Sequence, residues 1–171
     1  LAKTALAKFS NKKLDDIEKI WHGIEAPYNN LFNWLCNEGP MPKIDLLKTF
    51  NPMMLANPIS KNDFKTLISS QFIAEWKWDG IRVQIILGKS SVKIFSRTGD
   101  DISQSFPEIR NGSDSMVILD GELLVGRDFI PMNFNSLQQR LNRKKVTQKH
   151  LDEFPAFIKL YDILYLNNED L

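Results

Sequence analysis

The 171-residue chain reads as α+β: a short helical segment followed by a region rich in antiparallel sheet. Three observations predict this class. Apolar residues recur at helical spacing up to about residue 50. From Phe72 onward the period changes to two. Asp79-Gly80 and Gly88-Lys89-Ser90 then interrupt the alternating runs where hairpins would turn.

In LDDIEKIWHGI, the residues Leu14, Ile17, Ile20, Trp21 and Ile24 form one stripe, with Ser10 or Asn11 as the N-cap. In YNNLFNWLC the stripe is Tyr28, Leu31, Phe32 and Leu35, and Gly39-Pro40 ends the helix. Residues 51–62, NPMMLANPISKN, hold two prolines and no clear period, which marks a boundary between residues 1–50 and 51–171. DFKTLISSQ reads as a short helix. QFIAEWKW, IRVQIILG, SVKIFSR, MVILDGELLVG and FIKLYDILYL read as strands. Between the last two, FNSLQQRLNRKK has a helical face of Phe134, Leu137 and Leu141, made basic by Arg140, Arg143, Lys144 and Lys145.

Composition bounds the function classes. Hydrophobic residues at 43% and charged residues at 25% suit a soluble globular chain. Twenty-two basic against 21 acidic residues give a net charge of +1, so any nucleic-acid surface must be local. A lone cysteine, Cys36, excludes an internal disulfide, and no Cys/His pattern spells a zinc site. No apolar run approaches the ~20 residues of a membrane span, and no signal-peptide pattern opens the chain, so a cytoplasmic location is expected. The chain starts at Leu1 and stops at Leu171 just after a strand-like run, and is read as part of a longer protein.

EWKWDGIR, residues 75–82, carries the chemistry. On a strand, Glu75, Lys77 and Asp79 share one face, while Phe72, Ala74, Trp76 and Trp78 share the other and are expected to pack into the core. A solvated strand with weak cross-strand pairs would look the same. What distinguishes this one is the order of features downstream. Arg82 follows the turn, Arg97 sits in SRTGDD, Asp120 and Glu122 lie in LDGELLVG, and Tyr161-Asp162 interrupts an apolar strand.

KWDGIR, SRTG, DGEL and the aromatic-Asp strand, in that order, resemble the motifs of the covalent nucleotidyltransferases. These are the DNA ligases, RNA ligases and mRNA-capping enzymes. The flanks LDGELL, FNSLQQRLNRK and YDILYLNNEDL resemble the ATP-dependent DNA ligases, especially a bacterial multi-domain branch. The resemblance implies an incomplete adenylation (nucleotidyltransferase) domain over 51–171, preceded by the C-terminal part of a helical DNA-binding domain. An RNA ligase or capping-type enzyme, or a catalytically dead relative that only binds nucleic acid, are the competing readings. No EGxxxK-like run and no later lysine pair follow, so the isolated chain is expected to be inactive or very weak.

The resemblance also implies the roles. Lys77 is the nucleophile that takes AMP from ATP. Glu75 lies by the adenine and Arg82 contacts the ribose. Arg97 contacts the AMP phosphate, where its fork suits the oxygens. Glu122 lies near ribose and metal, and Tyr161 stacks on adenine where phenylalanine is usual. Asp79 either helps bind metal or shapes the turn. A free lysine titrates near ~10.4, and flanking acids favour the ammonium. The expected compensation is Arg82, Arg97 and a divalent cation, for which Mg²⁺ bound by carboxylates and phosphate oxygens is the candidate. The expected partner is nicked duplex DNA, and the expected state is a monomer. His22 and His150 are read as structural or exposed, Cys36 as a small helix residue, and the tryptophans as mostly core. Arg143, Lys144 and Lys145 are read as a solvated helix end or a phosphate contact.

Overall fold

From Ile81 the chain alternates in and out of a core, and four of the expected strands form. In the computed structural model, which describes residues 1–45, 49–110, 113–141, 143, 145–167 and 169–171, they are β1 (Ile81–Leu87), β2 (Val92–Ser96), β3 (Val117–Arg127) and β5 (Ala156–Leu166). Two-residue strands β4 (Ile130–Pro131) and β6 (Glu169–Asp170) complete a sheet of order β2-β1-β3-β5-β6, with β4 on the end of β3. Every pairing is antiparallel, and β1 and β2 form the hairpin expected at Gly88-Lys89-Ser90.

The two faces of the sheet differ. On one, Val83, Ile85, Ile94, Leu123 and Val125 pack with Phe106 and with Leu137 from helix α4 (Phe134–Gln138). Val83, Phe106 and Leu123 are wholly buried, each contributing about 1.5–3 kcal/mol of burial. On the other, Phe50, Ile86, Phe95 and Ile118 form a smaller cluster. Beside it lie four buried or half-buried polar side chains: Arg82, Gln84, Asp120 and Glu122. The period of two assigns them to this face.

The β3–β5 ladder breaks register twice, leaving Leu164 and Tyr161 as extra residues of β5. Such bulges re-aim side chains. Gly121 sits at the second shift, where a Cβ would lie 2.6 Å from the Lys159 carbonyl oxygen, so only glycine lets the strands close there.

Helices α1 (Ala2–Ser10), α2 (Leu14–Trp21) and α3 (Asn29–Leu35) gather Ile17, Ile20, Leu31, Trp34 and Leu35 into a cluster of their own. Ser10 and Asn11 do not cap α2. Ser10 ends α1, with its hydroxyl donated to Leu6 O at 2.7 Å, and Asn11 closes that helix in the left-handed conformation. The buried stripe of α3 runs through Trp34, whereas Tyr28 and Phe32 are exposed. This helix stops at Leu35, with Asn37 at positive φ, before Gly39-Pro40 is reached. His22 joins the helices to the sheet: its ring meets Phe50 edge-on at 5.0 Å and lies against the Gly99 turn. DFKTLISSQ forms two 3₁₀ turns, Asp63–Lys65 and Ser69–Gln71, instead of one helix.

The largest departure is Phe72–Trp78, which forms no strand and pairs with none among the described residues. Phe72 and Trp76 are exposed and Trp78 is half-buried, so the aromatic face does not enter the core. No hairpin forms at Asp79-Gly80. Alternation says which face a strand would bury, but burial also needs a second layer, and none of the described elements covers this run.

Arg140 also departs from expectation. It follows α4 as part of the expected basic face, yet it is fully buried and paired with Glu108. Arg143 and Lys145 are exposed, while Lys144 lies outside the described residues. Helix α5 (Gln148–Glu153) opens on a capping box in which His150 pairs with Thr147, a structural role. Among the described residues no helix is long and apolar enough to cross a membrane.

Candidate active site

Glu122 is the centre of the polar face. It is 8% exposed, and both of its oxygens are engaged. Oε1 accepts the backbone N–H of Gly80 at 3.0 Å, and Oε2 accepts the Tyr161 hydroxyl at 2.8 Å. One carboxylate on β3 thus ties the KWDGIR turn to the bulge of β5. Gly80 has to be glycine for this contact, because a Cβ would fall 2.3 Å from Leu123 O and 2.9 Å from Glu122 Cγ. Burial pushes the Tyr161 phenol up, and its hydrogen bond to Glu122 adds to the shift, so Tyr161 keeps its proton and donates it.

One register step away, Arg82 grips Asp120. Nε donates to Oδ1 at 3.1 Å and Nη2 to Oδ2 at 2.6 Å, while Nη1 donates to Met54 O at 2.7 Å. The hydrogen bond to Asp120 raises Arg82 further above its already high range, outweighing burial. Three of its five N–H groups are taken and two remain for a ligand. Its charge is matched by Asp120, so Arg82 is not the free counter-charge to Glu75 and Asp79 that the sequence suggested. Gln84 holds the preceding linker like a short ladder, accepting from Asn51 N at 2.8 Å and donating to Asn51 O at 3.1 Å.

The remaining expected residues lie around this row. Lys77, Glu75 and Asp79 are exposed on the unpaired run and its turn, without hydrogen-bond or ion-pair partners among the described residues. Arg97 is exposed just after β2, in a turn organised by Ser96, Thr98 and Asp100. Since Ser96 pairs with Val83, Arg97 falls at the same end of the sheet as Arg82 and Glu122. The structure therefore brings together Arg82, Glu122, Tyr161 and the Gly80 turn, and leaves Lys77, Glu75, Asp79 and Arg97 at the rim. Sequence reasoning had no role for two further residues. Asp120, already noted beside Glu122 in LDGELLVG, takes up Arg82, a partnership that spacing alone does not give. Lys159 lies across from Glu122 in the ladder, and its neighbours give no local sign in the sequence.

No group of three or more His, Cys, Asp or Glu converges on a metal position among the described residues. Glu122 has lone pairs beyond the two in use. Such a donor set fits a Mg²⁺ ion shared with phosphate oxygens and water, not one held by protein alone.

The antiparallel sheet thus binds the Lys-x-Asp-Gly turn to the buried Asp-Gly-Glu-Leu strand, bringing together two of the motifs on which the resemblance to the nucleotidyltransferases was drawn. Residues 53–171 match the model of the ATP dependent DNA ligase domain, and the chain belongs to that family. It is 38% identical to a probable DNA ligase of Koribacter versatilis over 72% of this chain and 22% of that protein. It is 30% identical to a DNA ligase of Methanothrix thermoacetophila over the whole chain and 32% of that protein. The chain thus spans about a third or less of the relatives it matches. Among solved structures, a mycobacterial DNA ligase D complexed with ATP and MES is similar, at 27% identity, over 57% of this chain and 30% of that one, with a TM-score of 0.45.

Proposed function

We propose that this chain is part of an ATP-dependent DNA ligase that seals nicks in duplex DNA, a monomeric cytoplasmic enzyme. Residues 51–171 are the N-terminal part of its adenylation domain, and residues 1–50 the end of a helical DNA-binding domain. The observation that carries the reading is the meeting of three motifs at Glu122. The Gly80 turn of KWDGIR and Tyr161 both bind this one carboxylate of DGEL.

The Lys77 amine attacks the α-phosphorus of ATP. An N–P bond forms, the bond to the pyrophosphate oxygen breaks, and the amine releases its proton. The 5′-phosphate of the nick then takes the AMP, breaking the N–P bond and returning the amine. Lastly the 3′-hydroxyl attacks that phosphate, and AMP leaves. Arg82 offers its two remaining N–H groups to the ribose, and Glu122 its remaining lone pairs. The Tyr161 ring stacks on adenine, Glu75 lies by the base, and Arg97 meets the phosphate of AMP and later of the nick. Mg²⁺ held by Glu122, with Asp79 as a second carboxylate, would neutralise phosphate charge.

The test is to incubate the full-length protein with α-labelled ATP and Mg²⁺ and look for an acid-labile label on Lys77. Lys77→Ala should abolish it. No label, or one that persists in Lys77→Ala, would overturn the mechanism. The isolated 171 residues should seal nicks very weakly or not at all; sealing at the full-length rate would contradict the domain assignment.

A further inference from the structure

Among the described residues no β-ladder holds the run that carries Lys77, so other contacts must set the position of its backbone. Two reach it from the sheet. Gly80 is tied to Glu122, three residues after Lys77. Closer still, the half-buried Trp78 presents its ring to the Lys159 ammonium, with Nζ 5.3 Å from the centroid. Lys159 is the ladder partner of Glu122, so the two anchors stand side by side on β3 and β5. Two more rings close around the same ammonium, Phe129 at 5.5 Å and Phe157 at 5.9 Å, and they meet each other edge-on at 5.7 Å. Phe129 has φ 60 and is 67% exposed. Asp128 (φ 52) and Phe129 are the two central residues of the tight β3–β4 turn, which calls for positive φ at both, and this turn sets the Phe129 ring beside the ammonium. Lys159 has no carboxylate partner among the described residues, so ring faces stabilise its charge.

We propose that Lys159 is a positioning residue for Lys77: held in a cage of Trp78, Phe129 and Phe157, it docks the Lys77 run onto the sheet through Trp78. The proposal rests on Lys77 being the adenylated residue. Lys159 touches neither nucleotide nor DNA in this scheme. It limits the excursions of an otherwise solvated segment, and displacing a reacting group by about 1 Å can cost on the order of 10²-fold in rate.

Single-turnover formation of lysyl-AMP from α-labelled ATP by the full-length protein tests this. Lys159→Met should lower the maximal rate about tenfold or more, with the ATP concentration for half-maximal rate unchanged within about threefold. Lys159→Arg keeps a cation for the rings and should stay within about threefold of wild type. Trp78→Phe should likewise be tolerated, and Trp78→Leu should behave as Lys159→Met. Closure of a nick that already bears a 5′-adenylate does not use the lysine amine, so Lys159→Met should leave it intact, which a folding defect would not. The proposal is overturned if Lys159→Met adenylates at the wild-type rate, if Lys159→Arg is as slow as Lys159→Met, or if both reactions fall together. Absence of lysyl-AMP in the wild type would instead overturn the adenylation reading, and this proposal with it.

Discussion

Replacing Glu108 with alanine should loosen the core face of the sheet by a predictable amount. Arg140 is 0% exposed and pairs with Glu108 through both oxygens, Nη1–Oε1 at 2.7 Å and Nη2–Oε2 at 2.8 Å. The guanidinium also donates to Phe154 O and Ser105 O, each at 2.7 Å, and lies over the Phe106 ring. Glu108 further accepts from Ala156 N, the first residue of β5, at 3.2 Å. Without the carboxylate a buried cation loses its counter-charge but keeps both carbonyls. Breaking a buried pair from one side costs about 3–5 kcal/mol. The Glu108 side chain is 24% exposed, so water can enter in its place, and ~3 kcal/mol at the low end applies. At ~1.36 kcal/mol per tenfold, that is about 150-fold in local opening. Hydrogen exchange followed by mass spectrometry on the full-length protein reads this at β3 and the start of β5. Glu108→Ala should accelerate exchange there on the order of 10²-fold. The double variant Glu108→Ala/Arg140→Met should recover much of the loss, since no buried charge is then stranded. A change under about fivefold, or a double variant equal to the product of the singles, would refute this account of the pair.

Gly80→Ala should slow lysyl-AMP formation about 10²-fold, because the new Cβ meets Leu123 O at 2.3 Å and pushes the turn off Glu122; labelling kinetics check it. Arg143→Ala/Lys145→Ala should lower the salt dependence of nick binding by about one to two phosphate contacts if these exposed cations reach the backbone, read from log affinity against log salt. Arg140→Met should leave that slope unchanged, because Arg140 is sealed inside the fold. His22 is held below its usual range by burial first and then by Lys3, against the opposing pull of Asp100 and Glu18. The folded state therefore favours the neutral ring. Its contribution is complete above the unfolded value of ~6.5 and is lost as pH falls through the lower folded value. Urea midpoints between pH ~7 and ~5 should fall less steeply in His22→Phe than in wild type.

The strands from Ile81 onward, the hairpin at Gly88-Lys89-Ser90 and the order of the motifs were legible in the sequence. Period, turn residues and motif spacing are local properties, written within a few residues of one another. The face shared by Arg82, Asp120 and Glu122 follows from the same alternation once β1 and β3 are paired. The family, too, was carried by short stretches whose chemistry demands particular residues in a particular order.

Tertiary structure decided what those residues meet. Phe72–Trp78 alternates as a strand should, yet whether a strand forms depends on a neighbour and a covering layer, and neither is encoded in the run itself. Arg140 looks like one more charge on a basic helix end. It is buried because Glu108, Ser105 and Phe154 close over it from 32, 35 and 14 residues away. The hydroxyl of Tyr161 reaches Glu122 across 39 residues through a bulge that no alternation foretells. The KWDGIR run stands out from six letters, but Glu122 and Lys159, which meet its Gly80 and Trp78, are far from it in the chain. Spacing along a chain specifies which side chains share a face, whereas partnership across strands is set by register and by the space left to fill.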